Sequence, residues 1–329
     1  MIVRKGQARR NGYDDGRESI HLSDTGGLSQ FGVHLETLPP GGLTSERHWH
    51  TAEDEFLYVL EGQATVIDGD GAHLLGPGGA AAWRQGDPNA HHVANRSAAP
   101  LRYIIVGSRV AGDVCHYPDS GSRQVNGDTT WQVLTDAGRV LRSGDLPPRL
   151  QNLAPAWGTP ADLSAPVRRI LPAGTVAPET GPSSYPAPHT LPEGRMRWWP
   201  LSDAGGLTQY GAFVEELMPG ARSSQRHWHE AEDEFLYALA GEVTVAEDDG
   251  EHPLAPGDAA CWPKGTANAH CLVNRSDRPA TYLIVGTRAP EDACHYPDID
   301  LHYTRRAGQR AFTRKDGTPY PGWPKETLR

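Results

Sequence analysis

The sequence predicts an all-β fold that is built twice. Glycine and proline are abundant, at 37 and 28 of 329 residues, and segments with helical periodicity are scarce, which favours many short strands joined by turns. The second observation is an internal repeat, because adding 179 to a position in the first half gives its counterpart in the second. This register holds without a gap from Leu22 and Leu201 to Asp119 and Asp298, which indicates duplication of a whole domain.

The strands of each repeat can be placed from their turns and their apolar runs. After a polar arm at residues 1–20, a strand follows a glycine turn at 26–27, and the same turn returns at 205–206. Residues 56–60 and 103–106 are apolar on both faces. In an antiparallel sheet with one solvent-exposed face, polar and apolar residues alternate along each strand. We therefore expect the outer face of this sheet to be covered by the other repeat or by a second subunit.

Composition places the domain boundaries. Residues 131–142 predict an edge hairpin after the first repeat, and the stretch that follows is rich in proline and polar residues. We predict a first domain at residues 1–145, a linker at 146–165 and a second domain at 166–329.

Charge and cysteine usage limit the function classes. The net charge of −10 would repel a phosphate backbone, so we expect no nucleic-acid partner. No run of about 18 apolar residues suggests a membrane span, and the amino terminus lacks the apolar core of a signal peptide. The four cysteines form no CxxC pair. These features predict a cytoplasmic protein with reduced thiols that acts on a small molecule.

The strongest functional signal is His48-Trp49-His50, which returns as His227-Trp228-His229. Two imidazoles at i and i+2 on a strand share one face. In both halves a glutamate follows five residues after the second histidine, and another histidine comes later. Imidazole and carboxylate together suit a divalent transition metal. The alternative, histidines hydrogen-bonded within a core, explains a matching set in both halves less well.

The glycine spacing around these residues resembles a known family. The first half reads Gly42-x5-His48-x-His50-x4-Glu55-x6-Gly62, followed by a block with Gly78, Gly86, His91 and Asn95, and the second half has the matching blocks. This pattern resembles the two motifs of the cupin superfamily, present twice, and is closest to bacterial cupins of unassigned function. The resemblance implies two tandem cupin jelly-roll barrels (double-stranded β-helices) related by internal duplication.

The resemblance also implies one divalent transition metal in each cupin domain, held by three histidines and one glutamate. Iron, manganese, nickel and zinc all accept such ligands. Carried over by position, the implied ligands are His48, His50, Glu55 and His91 in the first domain, and His227, His229, Glu234 and His270 in the second. Glu55 and Glu234 are also the expected catalytic carboxylates. The loop before the last ligand departs from the family pattern, because Arg84 replaces the motif proline that Pro263 retains.

The resemblance leaves the reaction open. Our first expectation is a metal-dependent oxidoreductase, dioxygenase-like, acting on a small organic substrate, since an ion with four protein ligands keeps positions for oxygen or substrate. The second is an isomerase or lyase on a sugar-like or carboxylated substrate, in which the metal polarises a carbonyl and a nearby acid moves the proton. The third is a non-catalytic small-molecule binding protein. We also expect a homodimer through the outer sheet faces.

Acidic residues recur beside the ligand glutamates, at Glu53 and Asp54 and again at Glu232 and Asp233. They could support the ligands or act as bases near the metal. Such acids more often lie on a solvated turn, and we favour that interpretation.

Cysteine and histidine recur side by side at Cys115-His116 and Cys294-His295. Together they could form a second metal site or a redox thiol. Because adjacent residues on a strand point to opposite faces, we favour a turn with a buried free thiol.

Overall fold

The computed structural model describes residues 1–321, and the end of the predicted second domain, residues 322–329, lies outside the described residues. Strands dominate, and the helical segments are single turns: α1 (Leu22–Gly26), α2 (Leu201–Ala204) and the 3-10 turn η1 (Pro148–Leu150). The all-β prediction is therefore confirmed. None of the helices in the described part of the chain combines the length and the apolar character that crossing a membrane requires.

The strands of the first repeat follow the turns expected from the sequence. In chain order, the strands before residue 150 are β1 (Ile2–Val3), β2 (Arg9–Gly12), β3 (Glu18–His21), β4 (Phe31–Leu38), β5 (Trp49–His50), β6 (Glu55–Glu61), β7 (Ala64–Asp68), β8 (Gly71–Leu75), β9 (Ala80–Trp83), β10 (His92–Ala94), β11 (Leu101–Ser108), β12 (Val114–Tyr117), β13 (Ser122–Asn126), β14 (Thr130–Thr135) and β15 (Val140–Asp145). Strands β14 and β15 form the predicted hairpin, and β15 is the outermost strand of its sheet.

The second repeat uses the same elements. Its strands, with the one that precedes it, are β16 (Ile170–Leu171), β17 (Met196–Trp199), β18 (Tyr210–Leu217), β19 (Trp228–His229), β20 (Glu234–Ala240), β21 (Val243–Glu247), β22 (Gly250–Leu254), β23 (Ala259–Trp262), β24 (Cys271–Val273), β25 (Ala280–Thr287), β26 (Asp292–Tyr296), β27 (Leu301–Arg306) and β28 (Gln309–Thr313). Strands β18, β20 and β25 lie 179 positions after β4, β6 and β11, as the internal repeat requires.

Each repeat is a jelly-roll sandwich of a large sheet and smaller sheets. The large sheet of the first repeat has the order β16-β9-β6-β11-β4-β3-β2, and that of the second has the order β1-β23-β20-β25-β18-β17. A small sheet faces each of them, in the orders β10-β7-β8 and β22-β21-β24. Between the two layers of the first repeat lie buried apolar side chains such as Leu57, Val66 and Tyr103. The predicted jelly-roll fold is confirmed for both repeats.

The two repeats exchange edge strands. Strand β1 pairs antiparallel with β23 of the second repeat, with Ile2 opposite Ala260. Strand β16 pairs in the same way with β9 of the first repeat, with Ile170 opposite Ala81. Each large sheet therefore ends in a strand that comes from outside its own repeat. The predicted domain boundaries at 145/146 and 165/166 stay a prediction.

The outer faces of the two large sheets pack against each other. Phe31, Phe56 and Ile104 of the first repeat share one buried cluster with Tyr210 and Phe235 of the second, and each of them has 0% of its surface exposed. This contact explains why residues 56–60 are apolar on both faces, since one face lines the sandwich and the other meets the second repeat. The expected homodimer stays a prediction.

Two buried aspartates link the repeats. Asp54 accepts hydrogen bonds from the backbone N–H groups of Gln85 (2.8 Å), Thr208 (2.7 Å) and Gln209 (2.8 Å). In return the Asp54 N–H donates to the side chain of Gln209 at 2.8 Å. Asp233 repeats this arrangement with the backbone N–H groups of Ser29 (2.6 Å), Gln30 (2.7 Å) and Lys264 (2.7 Å). The solvated-turn interpretation is wrong for both aspartates, because backbone donors of the other repeat replace their water.

Candidate metal centres

The backbone of the first repeat brings three histidines to one end of the sandwich. His50 lies on β5, opposite Cys115 of β12. His48, just before β5, pairs with His91 through two backbone hydrogen bonds of 3.0 and 2.9 Å. Glu55 begins β6 on the neighbouring sheet. Pairing of short strands, and not proximity in the sequence, therefore brings the four predicted ligands together.

The four side chains of the first repeat converge on one point. Glu55 Oε2 lies 3.0 Å from His91 Nε2, 3.7 Å from His48 Nε2 and 3.8 Å from His50 Nε2. The ring centroids of His48 and His50 are 5.3 Å apart, and those of His48 and His91 are 5.0 Å apart.

The second repeat reproduces this geometry. Glu234 Oε2 lies 2.8 Å from His270 Nε2 and 3.8 Å from His229 Nε2. The ring of His227 lies 5.0 Å from that of His229 and 5.2 Å from that of His270. The structure thus gathers all eight residues chosen from the sequence into two groups of four.

The two groups have the donor chemistry that a transition metal requires. The ligating atoms of His48, Glu55 and His91 all lie within 4.8 Å of one another, as do those of the equivalent residues of the second repeat. Glu55 Oε2 and Glu234 Oε2 are buried, and among the described residues they have no hydrogen bond of good geometry. A buried carboxylate oxygen without a donor is costly, and a cation bound among these atoms would remove that cost. The residues present therefore fit a divalent metal of the iron, manganese, nickel or zinc type.

Comparison with known sequences assigns the family. Residues 34–107 and 213–286 each match the family described as "Cupin domain". A curated relative, Protein SchB from Streptomyces halstedii, is 33% identical over 105 residues, which cover 31% of this chain and 74% of that protein. The chain belongs to the cupin superfamily. Because each half carries one such match, it is a bicupin, as the sequence motifs predicted.

Solved structures resemble the chain at two levels. A sugar phosphate isomerase of the cupin superfamily from Silicibacter pomeroyi DSS-3 is 43% identical and covers 44% of this chain and 92% of its own, with a TM-score of 0.42. An oxalate decarboxylase from Lactobacillus farciminis, in a formate complex, is 16% identical and covers 87% of this chain and 86% of its own, with a TM-score of 0.53. The second likeness extends over both cupin repeats and shows their common fold.

Hydrogen bonds at Nδ1 aim the ligand nitrogens of the cupin repeats. His50 Nδ1 donates to Asp113 at 2.6 Å, and His229 Nδ1 donates to Asp292 at 2.6 Å. His48 Nδ1 lies 3.0 Å from the backbone oxygen of Glu46, which can only accept. With the proton at Nδ1, the lone pair at Nε2 faces the glutamate, which is the tautomer that a metal ligand needs.

Asp113 and Asp292 are site residues that sequence reasoning missed. They lie 63 positions after the histidines they contact, and no local pattern relates them. Their one signal in the sequence is recurrence, because Asp113-x-Cys115 returns as Asp292-x-Cys294 179 positions later.

Burial and charge set the protonation of the ligand groups in opposite directions. Burial lowers the pKa of His50, but the charge of Glu55 and the hydrogen bond to Asp113 outweigh it and hold this pKa well above its ordinary value. Burial raises the pKa of Glu55, but the charge of His50 and the close contacts with His48 and His91 outweigh it and hold this pKa well below its ordinary value. The raised pKa of His50 reflects the acidic groups around it, and the lowered pKa of Glu55 keeps that carboxylate charged.

Tryptophans hold the last ligand in place. The ring of Trp83 stacks on His91 at 3.7 Å between centroids and 8°, and Trp262 stacks on His270 at 3.9 Å and 9°. Trp49 lies between two ligands and faces the other way, stacking on His116 at 4.2 Å. Alternation along β5 therefore separates the ligand face from a packing face.

The recurring cysteines lie on the ligand side of the strand. The ligating atoms of His48, His50 and Cys115 are all within 4.8 Å of one another, and Cys294 has the same place beside His227 and His229. Both thiols are free and buried, as the favoured interpretation predicted, but they lie on strands β12 and β26 and not in a turn. His116 points to the other face, so Cys115 and His116 do not form a second site together.

The glutamates beside the ligands are half-buried, and the solvated-turn interpretation is wrong for them as well. Glu53 Oε2 lies 3.9 Å from His50 Nδ1, and burial raises the pKa of Glu53 to about 8. Glu232 Oε2 lies 3.7 Å from His229 Nδ1, and burial likewise raises its pKa. Glu232 also forms an ion pair with Arg305.

The two centres open into different cavities. The first cavity has a volume of about 270 Å³ and reaches His48, Glu55 and His91 from Arg17 and His92. The second has a volume of about 540 Å³ and reaches Glu234 beside Gly286 and Thr287. It is lined there by Glu232, Arg288, Arg305 and Arg310.

Proposed function

We propose that each cupin repeat binds one divalent transition metal, giving two ions per chain, and that the protein is a metal-dependent oxidoreductase, dioxygenase-like, acting on a small organic substrate. The proposed ligands are His48, His50, Glu55 and His91, and His227, His229, Glu234 and His270. The observation that carries the proposal is the convergence of three imidazole nitrogens and one carboxylate twice in one chain, each time beside a cavity.

A redox metal such as iron or manganese would supply electron transfer to oxygen or substrate. The residues of the chain act around that chemistry. Asp113 fixes the tautomer of His50, Trp83 fixes the ring plane of His91, and Glu55 keeps its charge because the histidines lower its pKa. The apolar cavity wall, with Leu57 and Ile105, excludes water around a small substrate.

Metal content and oxygen uptake test the proposal. Protein purified without chelator and without a nickel affinity tag should contain two iron or manganese ions per chain and consume oxygen with its substrate. The His48→Ala/His50→Ala variant should contain one ion, and the His73→Ala variant, changed in a hairpin away from the site, should keep two. A wild-type protein that holds only zinc and consumes no oxygen with any small organic acid or aromatic compound would overturn it.

A second candidate is isomerase or lyase action on a sugar-like or carboxylated substrate. It is favoured by Glu232, which lines the same cavity as Glu234 and offers a second carboxylate to move a proton. This candidate predicts exchange of substrate hydrogen with deuterium oxide in the absence of oxygen, and loss of that exchange in the Glu232→Gln variant. A protein with two metals and neither activity would be the non-catalytic binding protein. We further propose that the protein is cytoplasmic, which cell fractionation can test, and that it is a homodimer, which sedimentation can test.

A further inference from the structure

The cavity of the second repeat has a basic mouth. It is lined by Glu232 and Glu234 and by three arginines, Arg288, Arg305 and Arg310, which we call its basic mouth. The guanidinium of Arg305 contacts Glu232 and also donates to the backbone oxygen of Ala289 at 2.6 Å. Since Glu232 lies 3.7 Å from His229, Arg305 is separated from a proposed ligand by a single carboxylate.

The three arginines differ in whether their charge is already compensated. Arg288 contacts Asp203 and donates to the backbone oxygen of Leu207 at 3.1 Å, and Arg305 is paired with Glu232. Within residues 1–321, the guanidinium of Arg310 forms no ion pair and donates no hydrogen bond to a protein group. It therefore offers its donors to the cavity and to solvent.

Strand register places Arg305 and Arg310 side by side. The two residues are directly opposite each other in the β27–β28 pair, and directly opposite residues of an antiparallel pair project from the same face. Like charges in this position are unfavourable, and an anion between them converts repulsion into attraction. Guanidinium groups bind carboxylate and phosphate oxygens with two parallel hydrogen bonds.

The first repeat lacks this pair. Its equivalent positions, 179 residues earlier, are Asn126 and Trp131, which are also directly opposite each other on β13 and β14. The basic mouth is therefore a property of the second repeat and not of the duplicated fold.

We propose that Arg305 and Arg310 form a subsite for an oxyanion group of the substrate of the second centre. The substrate class is a small organic acid with two anionic groups, one directed to the metal end of the cavity and the other held at the mouth. This inference rests on the proposed function for the role of the metal end, whereas the oxyanion subsite consists of protein groups alone.

Calorimetric titration of the two-metal protein and of the same protein stripped of metal tests the subsite. The probes are malonate, inorganic phosphate and acetate, compared in wild type and in the Arg310→Gln, Arg310→Lys and Arg306→Gln variants. Arg306 precedes the turn between the same strands, is exposed, and does not line the cavity, so it controls for net charge. Metal content is measured on every sample.

The expected result is one malonate or phosphate site per chain that weakens about 10-fold or more in Arg310→Gln, since a hydrogen bond to a charged group contributes about 1.5–3 kcal/mol. Arg310→Lys should recover part of the affinity, and Arg306→Gln should bind like wild type. Tighter binding of malonate assigns a dicarboxylate, and tighter binding of phosphate assigns a phosphorylated acid. Binding in Arg310→Gln that equals wild type overturns the subsite.

The outcomes for the subsite and for the proposed function can be separated. If the stripped protein still binds the dianion through Arg310 while the isolated protein contains no transition metal, the subsite stands and the proposed function fails. If both metals are present and Arg310→Gln binds malonate and phosphate normally, the proposed function stands and the subsite fails.

Discussion

The two cupin repeats have the same candidate metal-binding core and different surroundings. The four donors, the aspartate behind the second histidine and the tryptophan stacked on the last one all recur at a spacing of 179. The cavities do not recur, because the first reaches its centre past Arg17 and His92 and the second past Arg305 and Arg310. The groups that fit a cation are thus duplicated, whereas the groups that line the cavities are specific to each repeat.

The chain segment that precedes the second repeat explains part of the difference between the two cavities. The 28 residues from Ile170 to Arg197 replace the 17 from Ile2 to Glu18, although both segments connect equivalent strand pairings. The longer segment carries Tyr185, which packs edge-on against Tyr296 at 5.7 Å between ring centroids. Tyr296 lies 5.7 Å from the ring of His227. The additional residues therefore supply an aromatic side chain that packs beside the second centre.

The largest expected effect is the loss of one metal site at a time. Substituting His227 and His229 with alanine should reduce the metal content from two ions per chain to one, just as His48→Ala/His50→Ala does, because each group has its own donors. Elemental analysis of the two variants measures this. If either double variant lost both ions, the centres would not be independent.

The next effect concerns the aspartates that link the repeats. Asp54→Ala leaves three buried backbone N–H groups without an acceptor, and we expect it to lower the free energy of unfolding by about 4 kcal/mol. Asp233→Ala should cost the same amount, since its three backbone contacts match. Urea unfolding of metal-stripped protein measures both.

Asp54→Asn serves as the matched control, because its amide oxygen can still accept hydrogen bonds. It should cost clearly less than Asp54→Ala. Unequal losses of unfolding free energy in Asp54→Ala and Asp233→Ala would show that the two matching sets of hydrogen bonds do not stabilise the interface between the repeats equally.

The sequence was sufficient for the donors and insufficient for their supports. His48 and His50 could be placed on one face because strand periodicity is local, and duplication confirmed which histidines belong together. Asp113 was missed because its contact with His50 depends on the pairing of β12 with β5. A carboxylate 63 residues away has no periodic relation to the histidine that it orients.

Asp54, beside Glu55, shows more clearly that contacts between distant parts of the chain cannot be inferred from local sequence. Asp54 reads as a turn residue because its partners are backbone N–H groups of the other repeat, which have no signature in a sequence. The exchange of β1 and β16 was invisible for the same reason, since any short apolar strand can fill a sheet edge.

The two repeats differ at His34, a titratable residue whose protonation makes the stability of the protein depend on pH. Burial lowers the pKa of His34 to about 4 from an ordinary value of 6.5, and the neighbouring positive charges of His21, Arg109 and Arg149 act in the same direction against Asp24. The unfolded chain therefore binds this proton at a higher pH than the folded one. Stability contributed by neutral His34 is present above pH 6.5 and is lost as the pH falls towards 4.

The equivalent position of the second repeat is Phe213, which cannot take up a proton. We expect His34→Phe to remove up to about 3 kcal/mol of the loss of stability between pH 6.5 and 4, and Phe213→His to add a loss of that kind. Chemical unfolding of metal-stripped protein at several pH values measures both. An unchanged pH slope in His34→Phe would mean that His34 is not kept neutral.

The smallest effect tests the aspartates behind the ligand histidines. Replacing Asp113 or Asp292 with asparagine removes the charge that orients the imidazole, and such changes typically weaken metal binding 10- to 100-fold. The two repeats should differ within that range. Glu53 lies 3.9 Å from His50 Nδ1 and, in residues 1–321, forms no ion pair with lysine or arginine, so it can take over as acceptor.

In the second repeat the equivalent residue, Glu232, cannot take over as acceptor, because it already forms an ion pair with Arg305. We therefore expect about a 10-fold loss of metal affinity for Asp113→Asn and about a 100-fold loss for Asp292→Asn. Competition with a chromophoric chelator measures each site in a background where the other histidine pair is alanine. Adding Glu53→Gln to Asp113→Asn should bring the first repeat to the level of the second. Equal losses of metal affinity in Asp113→Asn and Asp292→Asn would show that Glu53 does not act as an acceptor. The difference between the repeats would then be confined to their cavities.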